Sequence, residues 1–141
     1  MPFFYLQVRK NHLTLKSLDT QTTASNIAVF SSQRMVLGQF FVAEACLYQL
    51  VPQVFPGLIN RLKLRHFRSD IVIHVLELLE GGISQVEQRA LQEFTVASFP
   101  KGYSFVYADP HLLSDEEVRH IITMKSEKVV TAADLRQQYP K

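Results

Sequence analysis

The feature that most limits the fold is the run Ile71-Val72-Ile73-His74-Val75-Leu76, which is apolar except for His74. Successive side chains of a strand point to opposite faces, so a half-buried strand alternates apolar with polar residues. A run that is apolar on both parities reads as a central strand covered on both sides. That in turn requires elements packed on the two faces of one sheet, a layered α/β domain. The chain has 141 residues, 47% hydrophobic and 20% charged, enough to bury such a sheet without a disulfide or a metal. Its one cysteine, Cys46, excludes an internal disulfide and fits a reducing compartment. The opening MPFFYL is too short for a membrane span, and it lacks a basic flank and a cleavage site. The expected location is the cytoplasm, with no membrane span.

Around the central run the periodicity supplies the other elements. Phe4, Leu6 and Val8 alternate with Tyr5, Gln7 and Arg9, the period-two signature of a half-buried strand. Lys10-Asn11-His12 provides a turn, because Asn tolerates left-handed backbone. Leu13, Leu15 and Ser17 continue the alternation on a second strand, and a polar connection over Asp19–Ser25 leads to a third, Asn26–Phe30. Short links between three consecutive strands predict an antiparallel meander. From Leu37 to Val51 apolar residues recur at helical spacing, with Phe40, Phe41, Leu47, Tyr48 and Val51 on one side and Val42, Ala43, Ala45, Cys46 and Leu50 on others. A helix apolar on most sides is buried on several or covered by a partner. Pro52 and Pro56-Gly57 end or kink it.

Ser84 and Glu87 have capping-box spacing and open a helix whose stripe is Val86, Ala90, Leu91, Phe94 and Ala97. Pro100-Lys101-Gly102 breaks it, and Tyr103–Ala108 is an aromatic and β-branched strand. A second box, Ser114 with Glu117, precedes Val118, Ile121, Ile122 and Lys125. A short helix over Ala132–Gln138 closes the chain. The expected architecture is a mixed five-stranded sheet in the order βββαβαβα with helices on its faces. It forms a single domain over residues 1–141, with residues 127–141 as a peripheral tail. The later helices serve as crossovers between parallel strands.

This element order is similar to the ribonuclease-H-like core found in one subdomain of actin-fold proteins. Two blocks carry a resemblance to the bacterial actin (MreB) family over Val36–Tyr107: Gly82-Ile83-Ser84-Gln85-Val86-Glu87-Gln88-Arg89-Ala90-Leu91, and Phe40-Phe41-Val42-Ala43-Glu44. The first resembles the family helix that opens with a hydroxyl residue, Gln, Val and Glu before Arg-Ala. The second resembles the family's first helix. The resemblance implies a bacterial protein linked to cell-shape or envelope assembly. It also locates what is missing. In actin-fold nucleotidases the first hairpin carries an aspartate and a glycine, which hold hydrated Mg²⁺ and let amides approach phosphate. The matching stretch, Leu6-Gln7-Val8-Arg9-Lys10-Asn11-His12, has neither. The family's second phosphate loop and adenosine pocket have no counterpart in a chain of this length. No catalysis and no cofactor are therefore expected.

The remaining constellations are weighed on spacing. A two-metal nuclease clusters carboxylates; the first strand has none, and although Glu44, Glu77 and Glu80 could approach one another, Glu77 and Glu80 read better as solvated strand-end charges. The histidines His12, His66, His74, His111 and His120 form no i,i+4 pair for a metal. His74 fits a neutral buried ring satisfied by one carbonyl. Cys46 in an apolar helix is a packing residue rather than a nucleophile. Tyr103, Phe105 and Tyr107 share one strand face, but no Lys or Arg interleaves them, which favours core packing over RNA stacking.

A net charge of +2 does not single out nucleic acid, so no DNA partner is expected. Charge is concentrated in Arg61, Lys63, Arg65, His66 and Arg68, with no acid before Asp70. This stretch reads as a solvated connection between a helix and a strand, or as a docking site for an acidic partner, phosphate or anionic lipid. The leading expectation is a non-catalytic interaction domain binding another protein, or itself, through Arg61, Lys63, Arg65, Arg68, Phe40 and Phe41. The alternative is a phosphate or nucleotide sensor holding an anion at Gly81, Gly82 and Ser84 without hydrolysis. An RNA-binding module comes third.

Overall fold

The computed structural model describes residues 2–30, 39–77, 83–123 and 130–131. Three strands, β1 (Phe3–Arg9), β2 (His12–Ser17) and β3 (Thr22–Ile27), precede two helices, α1 (Phe40–Val54) and α2 (Leu58–His66). Then come β4 (Ser69–Val75), α3 (Gln85–Glu93), β5 (Gly102–Ala108), α4 (Asp115–Thr123) and the short β6 (Val130–Thr131). The strands form one mixed sheet in the order β3-β2-β1-β4-β5-β6. Strands β1, β4 and β5 run parallel, while β2, β3 and β6 pair antiparallel to their neighbours.

The central position of β4 follows from its sequence. Every residue from Ser69 to Val75 is buried. Ile71, Ile73 and Val75 join Phe4, Leu6, Val8, Leu13 and Leu15 on one face, beneath Leu47 and Leu50 of α1 and Leu91 of α3. Val72 joins Tyr5, Leu18 and Phe105 on the other, beneath Val118 and Ile121 of α4. The register sets these faces, with Tyr5 opposite Val72 and Val72 opposite Phe105. The expected turn at Asn11 is present, with φ 55°.

Several boundaries differ from expectation. The third strand is Thr22–Ile27 rather than Asn26–Phe30, and the link before it is a tight turn. Gln21 takes φ 56° there, its side-chain amide donating to the Leu18 carbonyl at 2.9 Å. As an edge strand β3 needs little apolar content, so Thr22, Thr23 and Ser25 disguise it as a loop. Phe30 lies outside it yet is buried, and its N–H donates to the Asn11 side-chain oxygen at 3.0 Å. Helix α1 runs through Pro52 to Val54, because burial of Val51, Val54 and Phe55 outweighs the proline's lost hydrogen bond.

Helix α3 stops at Glu93, and Val86 and Ala97 are exposed rather than part of its buried stripe; Leu91 and Phe94 are buried as expected. The basic stretch is not a connection but largely the helix α2, and β6 adds a sixth strand within the expected tail. The order is thus βββααβαβαβ instead of βββαβαβα. Leu37, Glu80, Gly81, Gly82, Lys125 and the helix expected over Ala132–Gln138 lie outside the described residues. Among the described residues no helix is long and apolar enough to cross a membrane.

Candidate functional site

Helix α2 begins where Gly57, at φ 99°, redirects the chain after Pro56, a backbone state that favours glycine. No side chain caps its start and no acid lies in its first turn. Asn60 reaches back to the Pro56 carbonyl at 2.7 Å. Lys63, Arg65 and His66 fill the last turn, where cations complement the negative end of the helix dipole. Leu64 alone on this helix is buried. Leu58, Ile59 and Leu62 are 70%, 72% and 46% exposed.

At 100° per residue these three form an outward crest, with Arg61 and Arg65 along one flank and Lys63 along the other. The first flank borders a groove of about 460 Å³ closed by the end of α1 and by Ala97, Ser98 and Pro100. The second borders a shallower hollow of about 380 Å³ shared with Pro2, Asp19 and Phe67.

The structure separates residues that the sequence groups together. Arg68 stands apart from Arg61 and Arg65, although it borders the same hollow as Lys63. Its guanidinium donates to the Asp70 carboxylate at 3.0 Å and lies 3.8 Å from the centre of the Tyr103 ring. Asp70 is buried, so Arg68 neutralises it, and Tyr103 packs under an arginine rather than under a helix. Phe40 and Phe41 touch edge to face at 5.5 Å, with Phe40 packed on the core and Phe41 exposed. They sit at the opposite end of α1 from α2, about 20 Å along its axis. No single surface unites them with Arg61, Lys63 and Arg65.

Ser84 is already occupied. Its hydroxyl accepts from the Glu87 N–H at 3.2 Å, and the Glu87 carboxylate accepts from the Ser84 N–H at 3.4 Å. The Ser84 N–H and hydroxyl, two groups an anion would take at this helix start, are both engaged by the Glu87 carboxylate. Gly81 and Gly82, the other two candidates, lie outside the described residues.

A polar constellation is buried under α4. The His74 Nε2–H donates to the Asp109 carbonyl at 2.7 Å, as a neutral ring requires. That leaves Nδ1 to accept from the Tyr5 hydroxyl at 2.6 Å, and the same hydroxyl accepts from the Leu113 N–H at 3.1 Å. Burial pushes the His74 pKa down and the Tyr5 pKa up, so both stay neutral. The alternation of β1 hides Tyr5 as an outward residue; its partner lies sixty-nine positions away. Cys46 is buried in α1, and burial raises its thiol pKa.

The opening hairpin is bound at its turn by a carboxylate the sequence treats as solvated: Glu77 accepts from the Lys10 N–H at 2.8 Å. Gln7 accepts from Arg9 at 3.0 Å. Among the described residues, no three His, Cys, Asp or Glu side chains come together as a metal-holding group.

No family model matches the chain, and no solved structure matches it. The protein described as uncharacterized protein YjaA of Escherichia coli (strain K12) is 39% identical over 127 residues, which cover 89% of this chain and 100% of that one. An identity of this size over the whole length of the relative places the two in one family: the chain belongs to the YjaA family.

Proposed function

We propose that this chain is a non-catalytic interaction domain that docks an acidic partner protein onto α2. One observation carries the reading: the crest Leu58, Ile59 and Leu62 is exposed while both its flanks are cationic. Side chains of that size are left in water at a cost, and a contiguous apolar patch rimmed by one charge sign marks an interaction site. The occupant with matching chemistry is a protein surface with an apolar centre edged by Asp and Glu, which the cations steer into place.

The meander β1–β3 continued by the parallel strands β4 and β5 supports a ribonuclease-H-like sheet. The block Phe40–Glu44 opens α1, and Ser84 to Leu91 supplies the cap and body of α3. On this reading the chain corresponds to one actin-like subdomain without the nucleotide loops. A link to cell-shape or envelope assembly rests on that resemblance alone, since fold does not fix function. The non-catalytic reading is supported by the opening hairpin, where the Glu77 carboxylate is engaged by a backbone amide and β1 adds no acid of its own.

The test compares wild type with Ile59→Asp and Leu62→Asp. An acidic protein captured from native lysate by wild type, released by both variants and binding directly when purified, supports the reading. Capture of the same proteins by the variants refutes it. Solution mass measured across concentration separates docking of a partner from self-association, and turnover of Mg-ATP by the isolated protein would overturn the non-catalytic reading.

A further inference from the structure

We infer that the groove between α1 and α2 is a binding site for a small anionic amphiphile, an oxyanion head on a short hydrocarbon body. This site borders the outward crest of α2 and shares Leu58 with it, but the inference does not rest on the docking proposal.

Two observations converge on it. The groove encloses about 460 Å³, within the range of sites that take small organic ligands. Val51, Phe55 and Leu64 are part of its lining, so the body of a ligand has hydrocarbon to pack against.

The only charges in its lining are Arg61 and Arg65. One helical turn apart, they lie on the same flank of α2. Neither has an ion-pair partner among the described residues, whereas Arg68 pairs with Asp70, Arg89 with Glu93 and Lys16 with Asp115. Two unpaired guanidiniums facing no carboxylate suit an oxyanion, which a guanidinium binds through paired N–H groups.

Together these features specify a head that carries negative charge and accepts hydrogen bonds, and a body that does neither. A free phosphate lacks the body. A neutral alcohol lacks the charge.

The probes are decanoate and decyl phosphate, both below their micelle thresholds, with 1-decanol and inorganic phosphate as arms that each lack one half of the chemistry. Binding to the full chain is read by calorimetry and by amide chemical shifts. Saturable binding of at least one decyl anion is expected, with shifts centred on residues 51–65 and 97–100. Decanol should bind at least tenfold more weakly, and inorganic phosphate should show no saturation at millimolar concentration. Whichever of the two anions binds more tightly identifies the head as carboxylate or phosphate.

Arg61→Gln and Arg65→Gln should each weaken binding about tenfold, whereas Lys63→Gln on the other flank should leave it unchanged. Leu62→Asp should also leave it unchanged, which separates this site from the docking crest. The inference is overturned if neither anion binds, if decanol binds as tightly, if the double Arg61→Gln/Arg65→Gln variant keeps wild-type affinity while retaining its amide spectrum, or if the shifts fall elsewhere.

Discussion

Helices α2 and α3 are each nine residues long, yet they are built by opposite rules. Helix α3 opens with a reciprocal capping box and presses Leu91 and Gln92 into the molecule. Helix α2 opens on a bare glycine, buries Leu64 alone and leaves Leu58, Ile59 and Leu62 in water. Helix α4 follows the α3 pattern, with Ser114 and Glu117 exchanging hydrogen bonds at 3.2 and 3.0 Å. The difference teaches that α3 and α4 are shaped to hold the sheet, whereas the composition of α2 serves little of the protein's own stability. A nine-residue helix is too short to persist on propensity, so α2 rests on Leu64 and on its covalent ties to α1 and β4.

The contrast is broken most directly at the two anchors. Leu91→Ala should lower unfolding free energy by about 3 kcal/mol. Leu64→Ala should cost about half as much, because the groove beside it already interrupts the packing. Urea denaturation measures both, and equal losses would mean that α2 is as integral as α3.

Next in size is the support beneath α4. Tyr5→Phe should cost about 2 kcal/mol by leaving His74 Nδ1 and the Leu113 N–H without their partner. It should also increase hydrogen exchange in α4 more than in α2.

The same pair gives a pH signature. Burial holds the folded His74 pKa below its ordinary value of 6.5, so below that value the unfolded chain binds the extra proton first. Stability contributed by the neutral ring is complete above about pH 6.5. It is lost as pH falls from there toward the lower folded pKa, by up to about 1.4 kcal/mol per pH unit. Urea midpoints at pH 7.5 and 5.5 check the sign, and a flat profile after correction for the carboxylates would remove His74 as the source.

Cap deletions are smaller. Ser84→Ala and Ser114→Ala should each cost about 1 kcal/mol. The smallest effect is expected on the α2 crest, where Ile59→Ser and Leu62→Ser should stay within about 0.5 kcal/mol of wild type. A larger loss there would show that the crest stabilises the fold and would sharpen the comparison against a docking role.

The site was partly legible beforehand. The concentration of cations from Arg61 to Arg68 is visible in the sequence, and so is the capping-box spacing of Ser84 and Glu87. The helical state of α2 is obscured by Pro56-Gly57, which reads as the start of a loop, and by a composition with more cations than apolar residues in its last turn. The groove could not be read at all, because Arg61, Arg65 and Ser98 meet only once α1, α2 and the turn after α3 are packed together. Likewise Arg68 belongs to the cationic cluster by sequence and leaves it in space, captured by Asp70 and Tyr103.

What the sequence determined by itself acts over a few residues: the central strand in the run Ile71–Val75, the left-handed turn at Asn11 and the capping boxes at Ser84 and Ser114. Periodicity, backbone preference and a side chain reaching the next turn are all local, so their outcome is present wherever the pattern is present. The tertiary structure alone decided the polar β3 edge, the Tyr5–His74 bond, the Glu77 contact at the opening hairpin and the division of the cations between structure and surface. Each of these depends on where the sheet register and the helix packing bring distant residues, and no short-range pattern carries that information.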